Sequence, residues 1–290
     1  MTALVLPHGG AAEQGAELLR TRARSFRLAA LLLGPEQAED AAICYGFCRV
    51  ADDAVDDAPS YADGRVAIAA LREELGWIRP ARPLVSAWLG LAARRGISWS
   101  VGADLLDTIA RDAGPVRIAD DDDLRRYAYG VAGTVGVMMS RVLGAEDPAA
   151  TAPAVDLGIA MQITNIVRDV AEDAARDRVY LPAARLRAAG VDPDDVAAGR
   201  AAPDAVFSVA RDLLALAEVH YARGRAGLCL LPLRSRAAAL VALHLYRGIG
   251  RAILRRGPGA LAGRTVLGGP ARALLFGAAL LDLLFLRSPR

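Results

Sequence analysis

The sequence predicts an all-α protein folded as a single domain over residues 1–290. Apolar residues recur at three- and four-residue spacing along almost the whole chain, and long alternating runs, which are typical of strands, are absent. Alanine and leucine dominate, while aromatic residues reach only 5%, a composition that favours helices. Hydrophobic residues make up 54% of the chain, so a substantial core can form. No linker-like stretch divides the sequence.

Glycine and proline mark where the predicted helices begin and end. In chain order, the breaks fall at Gly34-Pro35, Pro59, Pro80–Pro83, Gly96, Gly114-Pro115, Pro148–Pro153, Gly190–Pro193, Pro203, Pro232 and Gly257-Pro258. The acidic run Asp120–Asp123 precedes an apolar-periodic stretch, and carboxylates cap free N–H groups at such positions, so we expect a helix to start there. After a short flexible N-terminus, helices are expected at residues 10–33, 36–57, 63–78, 84–95, 98–112, 121–143, 153–177, 204–227, 233–256 and 270–286.

The net charge and the hydropathy of the chain limit which binding partners and which cellular compartment can be expected. The net charge of +2 argues against a nucleic-acid binder that works through bulk charge. The N-terminus shows no basic segment followed by an apolar stretch, and three cysteines form no disulfide framework, so a cytoplasmic location is expected. The most apolar segment, residues 273–286, is too short to span a bilayer, which takes about 20 apolar residues. It either docks on the helical body or makes peripheral contact with a membrane.

The first acidic stretch of note lies in the predicted helix 36–57. Asp52 and Asp56 are one helical turn apart, so their carboxylates share a face. Asp53 and Asp57 form a second such pair, rotated by about 100°. Arg49 stands one turn before Asp52 on the same side. This helix therefore carries two acidic pairs and a neighbouring arginine.

A second acidic stretch lies in the predicted helix 153–177. Asn165, Asp169 and Asp173 line up at successive four-residue intervals, so they share one face. Arg168 and Glu172 lie on a flanking stripe. The two stretches thus carry the same pattern of oxygen ligands next to an arginine.

Two interpretations of these stretches are open from the residues alone. Like charges at this spacing destabilise a helix by a few tenths of a kcal/mol each, and a divalent cation between the carboxylates would remove that penalty. Oxygen ligands without histidine or cysteine suit Mg²⁺, with Mn²⁺ as the alternative ion. Two such helices facing each other would clamp the cation around a diphosphate, which arginines would also bind. Alternatively, both stretches are solvated polar faces of amphipathic helices.

Taken together, the motifs resemble the squalene and phytoene synthase family. The likeness covers most of the chain, from about Ser25 to Gly257. Tyrosine at position 129 and glycine at position 130 look more like phytoene and dehydrosqualene synthases than like squalene synthases of animal and fungal type. The matching segments are Ser25-Phe26, Tyr45-Gly-Phe-Cys-Arg49 with Asp52-Asp53-Ala-Val-Asp56, Tyr127-Ala-Tyr129-Gly-Val-Ala-Gly-Thr-Val-Gly136 and Gln162 through Pro182, with weaker similarity at Leu231-Pro232 and Tyr246.

The resemblance implies a fold and a set of functional residues. The fold would be an isoprenoid synthase helical bundle around a central apolar cavity. The implied ligands of the metal ions are Asp52, Asp56, Asn165, Asp169 and Asp173. The implied catalytic residues are Asp52, Asp56, Asp169, Asp173, Tyr129 and Arg168. The implied contacts to the substrate are Ser25, Tyr45, Arg49, Gln162, Asn165, Arg178 and Tyr246.

The resemblance also implies a reaction. Two prenyl diphosphates would condense head to head through a cyclopropylcarbinyl diphosphate, and two geranylgeranyl diphosphates would give phytoene. No nicotinamide-binding fingerprint stands out, so NADPH is not expected. One alternative within the family uses farnesyl diphosphate and forms dehydrosqualene, presqualene diphosphate or squalene. An alternative of another class is a non-catalytic helical assembly factor with the same fold. The sequence leaves the oligomeric state open.

Overall fold

Helices form nearly all the regular structure in the described part of the chain. The structure is a computed structural model and describes residues 9–22, 28–76 and 80–286. The longer helices are α1 (Gly9–Arg22), α2 (Pro35–Asp56), α3 (Tyr61–Glu74), α4 (Pro83–Arg95), α5 (Trp99–Ile109), α6 (Asp121–Ala128), α7 (Thr134–Val142), α8 (Thr151–Arg168), α12 (Pro203–Gly227), α13 (Leu233–Arg256) and α14 (Gly269–Leu283). The shorter ones are α9 (Val170–Ala174), α10 (Ala183–Ala188) and α11 (Pro193–Ala197).

The predicted helix 121–143 is interrupted in the structure. It begins as expected, because the Asp120 side chain accepts a hydrogen bond from the Asp123 backbone N–H at 2.9 Å. A π-helical turn, Tyr129–Gly133, then separates α6 from α7. Such single turns insert one residue into a helix and are frequent at functional sites. The side chains of α7 are therefore rotated relative to those of α6.

The predicted helix 153–177 is also broken, at Asp169. Its backbone angles, φ −107° and ψ 16°, depart from the helical values and separate α8 from α9. The chain then turns at Asp177 with a positive φ of 56°, which aspartate tolerates better than most residues. A short parallel pair of strands follows, β1 (Val116–Arg117) with β2 (Arg178–Val179), which the sequence pattern does not predict.

The buried core lies in two clusters. One surrounds α8, α12 and α13, and the other lies among α2, α4 and α5, where Phe47 stacks on Trp88 with ring centroids 4.4 Å apart. Val131 of the π-helical turn packs against both clusters. The turn therefore lies where the two halves of the core meet.

Glycines bring α7 and the π-helical turn before it into backbone contact with α8. A Cβ on Gly136 would stand 2.2 Å from the Ala154 carbonyl oxygen, and one on Gly158 would stand 2.2 Å from that of Ala132. Neither position leaves room for a side chain, since real Cβ atoms do not approach this closely. The contact fixes the rotation of α8, which carries much of the candidate site.

The C-terminal part pairs two helices. Residues 233–262, α13 with the turn that follows it, are long and apolar enough to cross a membrane. However, 72% of their most apolar window is buried inside the structure, as in the core helix of a globular protein. α14 docks on α13, with Leu275 against Gly248. α14 therefore packs on the helical body, which is one of the two arrangements that the sequence leaves open for residues 273–286.

Candidate active site

The two acidic stretches lie on opposite walls of one cavity, whose volume is about 390 Å³. That size is within the range of small-molecule sites. Polar and charged side chains form most of the wall, and apolar ones form the remainder. The lining residues are Arg49, Asp52, Val55, Asp56, Ile109, Asp112, Tyr127, Val131, Gln162, Asn165, Ile166, Arg168, Asp169, Glu172, Asp173, Arg176, Arg178, Tyr180 and Arg264.

On the α2 wall, one helical face supplies the polar groups. Arg49, Asp52 and Asp56 are three and four residues apart, so they project from the same side. Asp53 points away from the cavity's lining and pairs with Arg49 along the helix. Of the two acidic pairs that the spacing distinguishes, the cavity is therefore lined by Asp52 and Asp56.

On the opposite wall, the break at Asp169 joins two short polar faces. Gln162, Asn165 and Asp169 project from the last turns of α8, and Asp173 follows on α9. The side-chain nitrogen Nδ2 of Asn165 lies 3.4 Å from the side-chain oxygen Oε1 of Gln162. Its own carbonyl oxygen is buried and has no hydrogen-bond partner among the described residues. An amide oxygen in that state is available to a ligand from the cavity.

Arginines bind several of the carboxylates that line the cavity. Arg178 and Arg176 donate to the two oxygens of Asp56 at 2.7 and 2.9 Å. The strand pair and the positive-φ turn hold both arginines on the same side as α2. Arg168 binds both oxygens of Asp169, at 2.7 and 2.5 Å. Positive charge therefore already stands beside the groups that would hold a cation.

The negative charges of Asp52 and Asp173 are less well compensated by arginines than those of Asp56 and Asp169. Burial raises the pKa of Asp52 to about 7, with Arg49 opposing and Asp56 adding to the rise. Burial also raises the pKa of Asp173 to about 8, and the Asp169 charge adds to it. Both carboxyls are only partly exposed where they line the cavity, so their charged forms are disfavoured. A cation in the cavity would remove that penalty.

A third acidic group, which the sequence analysis does not single out, lies in the same cavity. Asp112 is buried and accepts a hydrogen bond from the Tyr127 hydroxyl at 2.8 Å. The Tyr127 ring stacks on Tyr180 with centroids 4.8 Å apart. Burial raises the Asp112 pKa to about 6, although both tyrosines oppose the rise. These residues come from a 3₁₀ turn, from α6 and from the segment after β2, so no spacing in the sequence relates them.

Not every residue that the resemblance implies lies on the cavity wall. Tyr45 and Tyr246 are not among the lining residues, although both interact electrostatically with arginines of the wall, Arg49 and Arg168 respectively. Ser25 lies outside the described residues. The roles that the resemblance implies for Tyr45 and Tyr246 stay predictions.

The position of Tyr129 differs from the expectation. Its ring lies beside Gly133 and is 42% exposed, and it is absent from the cavity lining, whereas Tyr127 is part of it. Two residues differ by about 200° around a helix, so the two tyrosines cannot face the same way. The π-helical turn that starts at Tyr129 rotates the following residues further.

The side chains that line the cavity supply only some of the ligands that a magnesium ion needs. No three acidic, histidine or cysteine side chains in the described ranges stand close enough together to hold a metal ion. Magnesium, however, takes one or two carboxylates and completes its octahedron with water and phosphate oxygens. The cavity offers such ligands on each wall and an unpartnered amide oxygen. The side chains that could hold the ion are Asp52, Asp56, Asn165, Asp169 and Asp173.

Comparison with known proteins adds an independent observation. Residues 19–269 match the family model described as squalene/phytoene synthase. The phytoene synthase of Thermus thermophilus is 40% identical over 267 residues, which cover 91% of this chain and 90% of that protein. The 15-cis-phytoene synthase of a Paracoccus species is 35% identical over 291 residues, 96% of this chain and 91% of that protein.

Solved structures show the same architecture. A dehydrosqualene synthase in complex with a ligand superposes with a TM-score of 0.85 at 25% identity, over 96% of this chain and 98% of the other. The squalene synthase of Alicyclobacillus acidocaldarius gives a TM-score of 0.74 at 25% identity, over 86% and 95% of the two chains. The similarity thus extends over nearly all of both molecules.

Proposed function

The chain belongs to the squalene/phytoene synthase family, and from that premise we propose that it condenses two geranylgeranyl diphosphates head to head to give phytoene. The observation that carries the proposal is the single cavity into which both acidic walls and five arginines project. Its arginines are Arg49, Arg168, Arg176, Arg178 and Arg264. Curated relatives that are 36% and 40% identical to this chain are named phytoene synthases.

We propose that Mg²⁺ is the cofactor and that Asp52, Asp56, Asn165, Asp169 and Asp173 hold it. Bound there, the metal ion would neutralise the diphosphate leaving group and act as a Lewis acid. The raised pKa values of Asp52 and Asp173 support this assignment, since their carboxylates need a positive charge nearby.

The arginines of the cavity would bind the diphosphate directly. Arg178 is nearly buried and now donates to Asp56, while Arg168 binds Asp169. A guanidinium fork matches phosphate oxygens as well as it matches a carboxylate. When substrate enters, these arginines can contact the phosphates, and the carboxylates that they leave are free for the metal. Charge that develops on the departing diphosphate is then stabilised by groups already in place.

The remaining wall would protect the allylic cation. Val55, Ile109, Val131 and Ile166 form its apolar part and exclude water, which would otherwise quench the cation. Tyr127 and Tyr180, whose rings stack on each other, also line the cavity. The first half-reaction yields a cyclopropylcarbinyl diphosphate. Its ionisation, rearrangement and loss of a proton end the reaction without a reductant.

Product analysis tests the proposal. The purified chain is incubated with geranylgeranyl diphosphate and Mg²⁺, and a phytoene product independent of NADPH is expected. Chelation of the metal should stop pyrophosphate release. Conversion only in the presence of NADPH, or to a reduced product, would contradict the non-reductive ending.

A second candidate differs in substrate length. The dehydrosqualene synthase structure superposes well over nearly the whole chain, so farnesyl diphosphate is the alternative substrate. Dehydrosqualene, presqualene diphosphate or squalene would then form. Parallel incubations with the two diphosphates separate the candidates by kcat/KM. A non-catalytic assembly factor, in contrast, would release no pyrophosphate from either.

We also place the protein in the cytoplasm, in peripheral contact with a membrane. The buried position of the one helix long enough to span a bilayer, among the described residues, supports a location outside the bilayer core. Nothing in the charge distribution suggests a nucleic-acid partner.

A further inference from the structure

The two arginines that bind Asp56 belong to a turn whose own backbone is poorly supported. Arg176 and Arg178 lie on either side of Asp177, whose positive φ of 56° costs free energy in any residue with a Cβ. The strands β1 and β2 that follow from this turn have two residues each, and an isolated pair of strands is at best marginally stable. Contacts from outside the turn are therefore needed to hold both arginines in place.

Arg117 of β1 supplies such contacts. Its guanidinium donates to the Asp177 backbone carbonyl oxygen at 2.8 Å and to the Asp177 carboxylate at 2.5 Å. It also donates to the carbonyl oxygen of Val116 at 2.9 Å. Because the guanidinium is planar and its donors are fixed relative to one another, these bonds restrict the turn in several directions at once. One side chain thus connects β1 to the turn that precedes β2.

Arg117 can reach the cavity only through its neighbours. Neither Arg117 nor Asp177 lines the cavity, whereas Arg176 and Arg178 both do. The Arg178 side chain is only 7% exposed and donates to Asp56. Its position is therefore set by the backbone of β2 and by protein contacts rather than by solvent. A change at Arg117 would be transmitted to the cavity by that backbone.

The fourth contact of Arg117 provides an internal comparison. Its Nε donates to the carboxylate of Asp194 on α11 at 2.9 Å. The Asp194 side chain is 77% exposed, and ion pairs this open to water contribute little because solvent screens them. Removal of Asp194 would take away a partner of Arg117 but would leave the bonds to the Asp177 turn intact.

We infer that Arg117 is a positioning residue, which fixes the Asp177 turn and so sets Arg176 and Arg178 at the cavity wall. The inference rests on the proposed function, in which these two arginines bind the diphosphate. When substrate enters, both would exchange the Asp56 carboxylate for phosphate oxygens. A backbone held by Arg117 limits this exchange to a movement of the side chains, and correct placement of such groups is what binding and catalysis depend on.

Hydrogen exchange tests the anchoring without any ligand. The backbone N–H groups of Val116 and Ile118 donate across the strand pair at 3.0 and 3.2 Å. In Arg117→Gln, exchange of these two groups should accelerate about tenfold, since the pair opens more readily. In Asp194→Asn it should stay within about twofold of the wild type. Unchanged exchange in Arg117→Gln would overturn the anchoring role, whatever the protein binds.

Calorimetric titration with inorganic pyrophosphate and Mg²⁺ tests the consequence for the cavity. Arg117→Gln should raise Kd about tenfold, whereas Asp194→Asn and Arg200→Gln, which removes another exposed ion pair, should stay within about twofold. In an Arg178→Gln background, the added Arg117→Gln should cost only about threefold or less, because Arg176 alone is left to be displaced. A general loss of stability would instead weaken binding equally in both backgrounds. Circular dichroism confirms that the variants fold.

Asp177→Gly is a second variant that should fold even if Arg117→Gln does not. Glycine accepts a positive φ without penalty, so stability is retained while Arg117 loses the carboxylate, and Kd for pyrophosphate should rise about threefold. A wild-type Kd in both Arg117→Gln and Asp177→Gly, or an equal effect of Arg117→Gln in the two backgrounds, would overturn the inference. Absence of pyrophosphate binding by the wild type would contradict the proposed function, and hydrogen exchange then decides the anchoring by itself.

Discussion

At the residue scale, the arginines of the cavity and the proposed metal ion compete for the same carboxylate oxygens. Asp56 and Asp169 are bound by arginines, whereas Asp52 and Asp173 carry the strongly raised pKa values. Arginine and a metal ion both favour a charged carboxylate, but they cannot occupy the same oxygens. The substrate, which offers phosphate oxygens to the arginines, would resolve this competition. Its binding and metal binding should therefore reinforce one another.

Replacement of Asp52 tests this assignment. We expect Asp52→Asn to lower kcat with the proposed substrate by about a hundredfold or more, because an amide holds Mg²⁺ far less well than a carboxylate. Far-UV circular dichroism should be unchanged. Asp107→Asn, at an exposed surface position paired with Arg72, is the control and should retain full activity. Normal turnover of Asp52→Asn would remove this residue from the metal site.

The Asp112–Tyr127 hydrogen bond makes a separate prediction at the same scale. Tyr127→Phe removes one hydrogen-bond donor from the buried Asp112 carboxyl, so we expect a loss of about 1–3 kcal/mol in the free energy of unfolding. Urea denaturation measures it. Tyr61→Phe, which loses an exposed hydrogen bond to the Arg176 carbonyl oxygen, should change stability by less than about 0.5 kcal/mol. Equal effects of the two variants would show that burial of Asp112 has no energetic consequence.

At the scale of elements, interruptions of helices shape the site. The π-helical turn, Tyr129–Gly133, rotates α7 relative to α6, and the break at Asp169 joins two polar faces. Both are held by tertiary packing, since the α7–α8 contact depends on glycines whose missing side chains admit a backbone oxygen. Small changes at that contact should therefore alter the packing of the whole helical bundle.

Substitution of Gly158 tests the backbone contact. A Cβ there would stand 2.2 Å from the Ala132 carbonyl oxygen, so the helices must separate. We expect Gly158→Ala to lower the free energy of unfolding by about 2 kcal/mol or more, despite the better helix propensity of alanine. Gly277→Ala on α14, where nothing lies within 4 Å, should instead add about 0.5–1 kcal/mol. A stabilised Gly158→Ala would show that the π-helical turn and α8 are not in close contact.

At the scale of the whole molecule, stability should depend on pH and on metal together. The pKa values of Asp52, Asp112 and Asp173 are raised to about 7, 6 and 8, against about 3.9 in an unfolded chain. The folded state thus holds more protons than the unfolded state between pH 4 and 8. The stability that these groups contribute is complete below about pH 4 and is lost as the pH rises through their folded pKa values.

We therefore expect the Tm of the metal-free protein to fall between pH 5 and 8. Mg²⁺ with pyrophosphate should raise Tm more at pH 8 than at pH 6, because binding favours the deprotonated carboxyls. Differential scanning calorimetry measures both effects. In Asp52→Asn/Asp173→Asn, which cannot titrate at those positions, the fall should be shallower. A metal-free Tm that rises over this range would contradict the assigned pKa shifts.

The helical class and the paired acids were determined by the sequence itself, because helical periodicity and one-turn spacing are local properties of the chain. Asp52 with Asp56, and Asn165 with Asp169, could be grouped before any tertiary contact was known. The same spacing predicted uninterrupted helices through Tyr129 and Asp169, and there it was wrong, since packing against distant segments outweighs local propensity.

Only the tertiary structure decided which groups meet. Asp112, Tyr180 and Arg264 come to the cavity from segments far apart in sequence, and Tyr127 rather than Tyr129 faces it. These outcomes depend on how the chain closes on itself, whereas spacing along the chain relates only neighbours on one element.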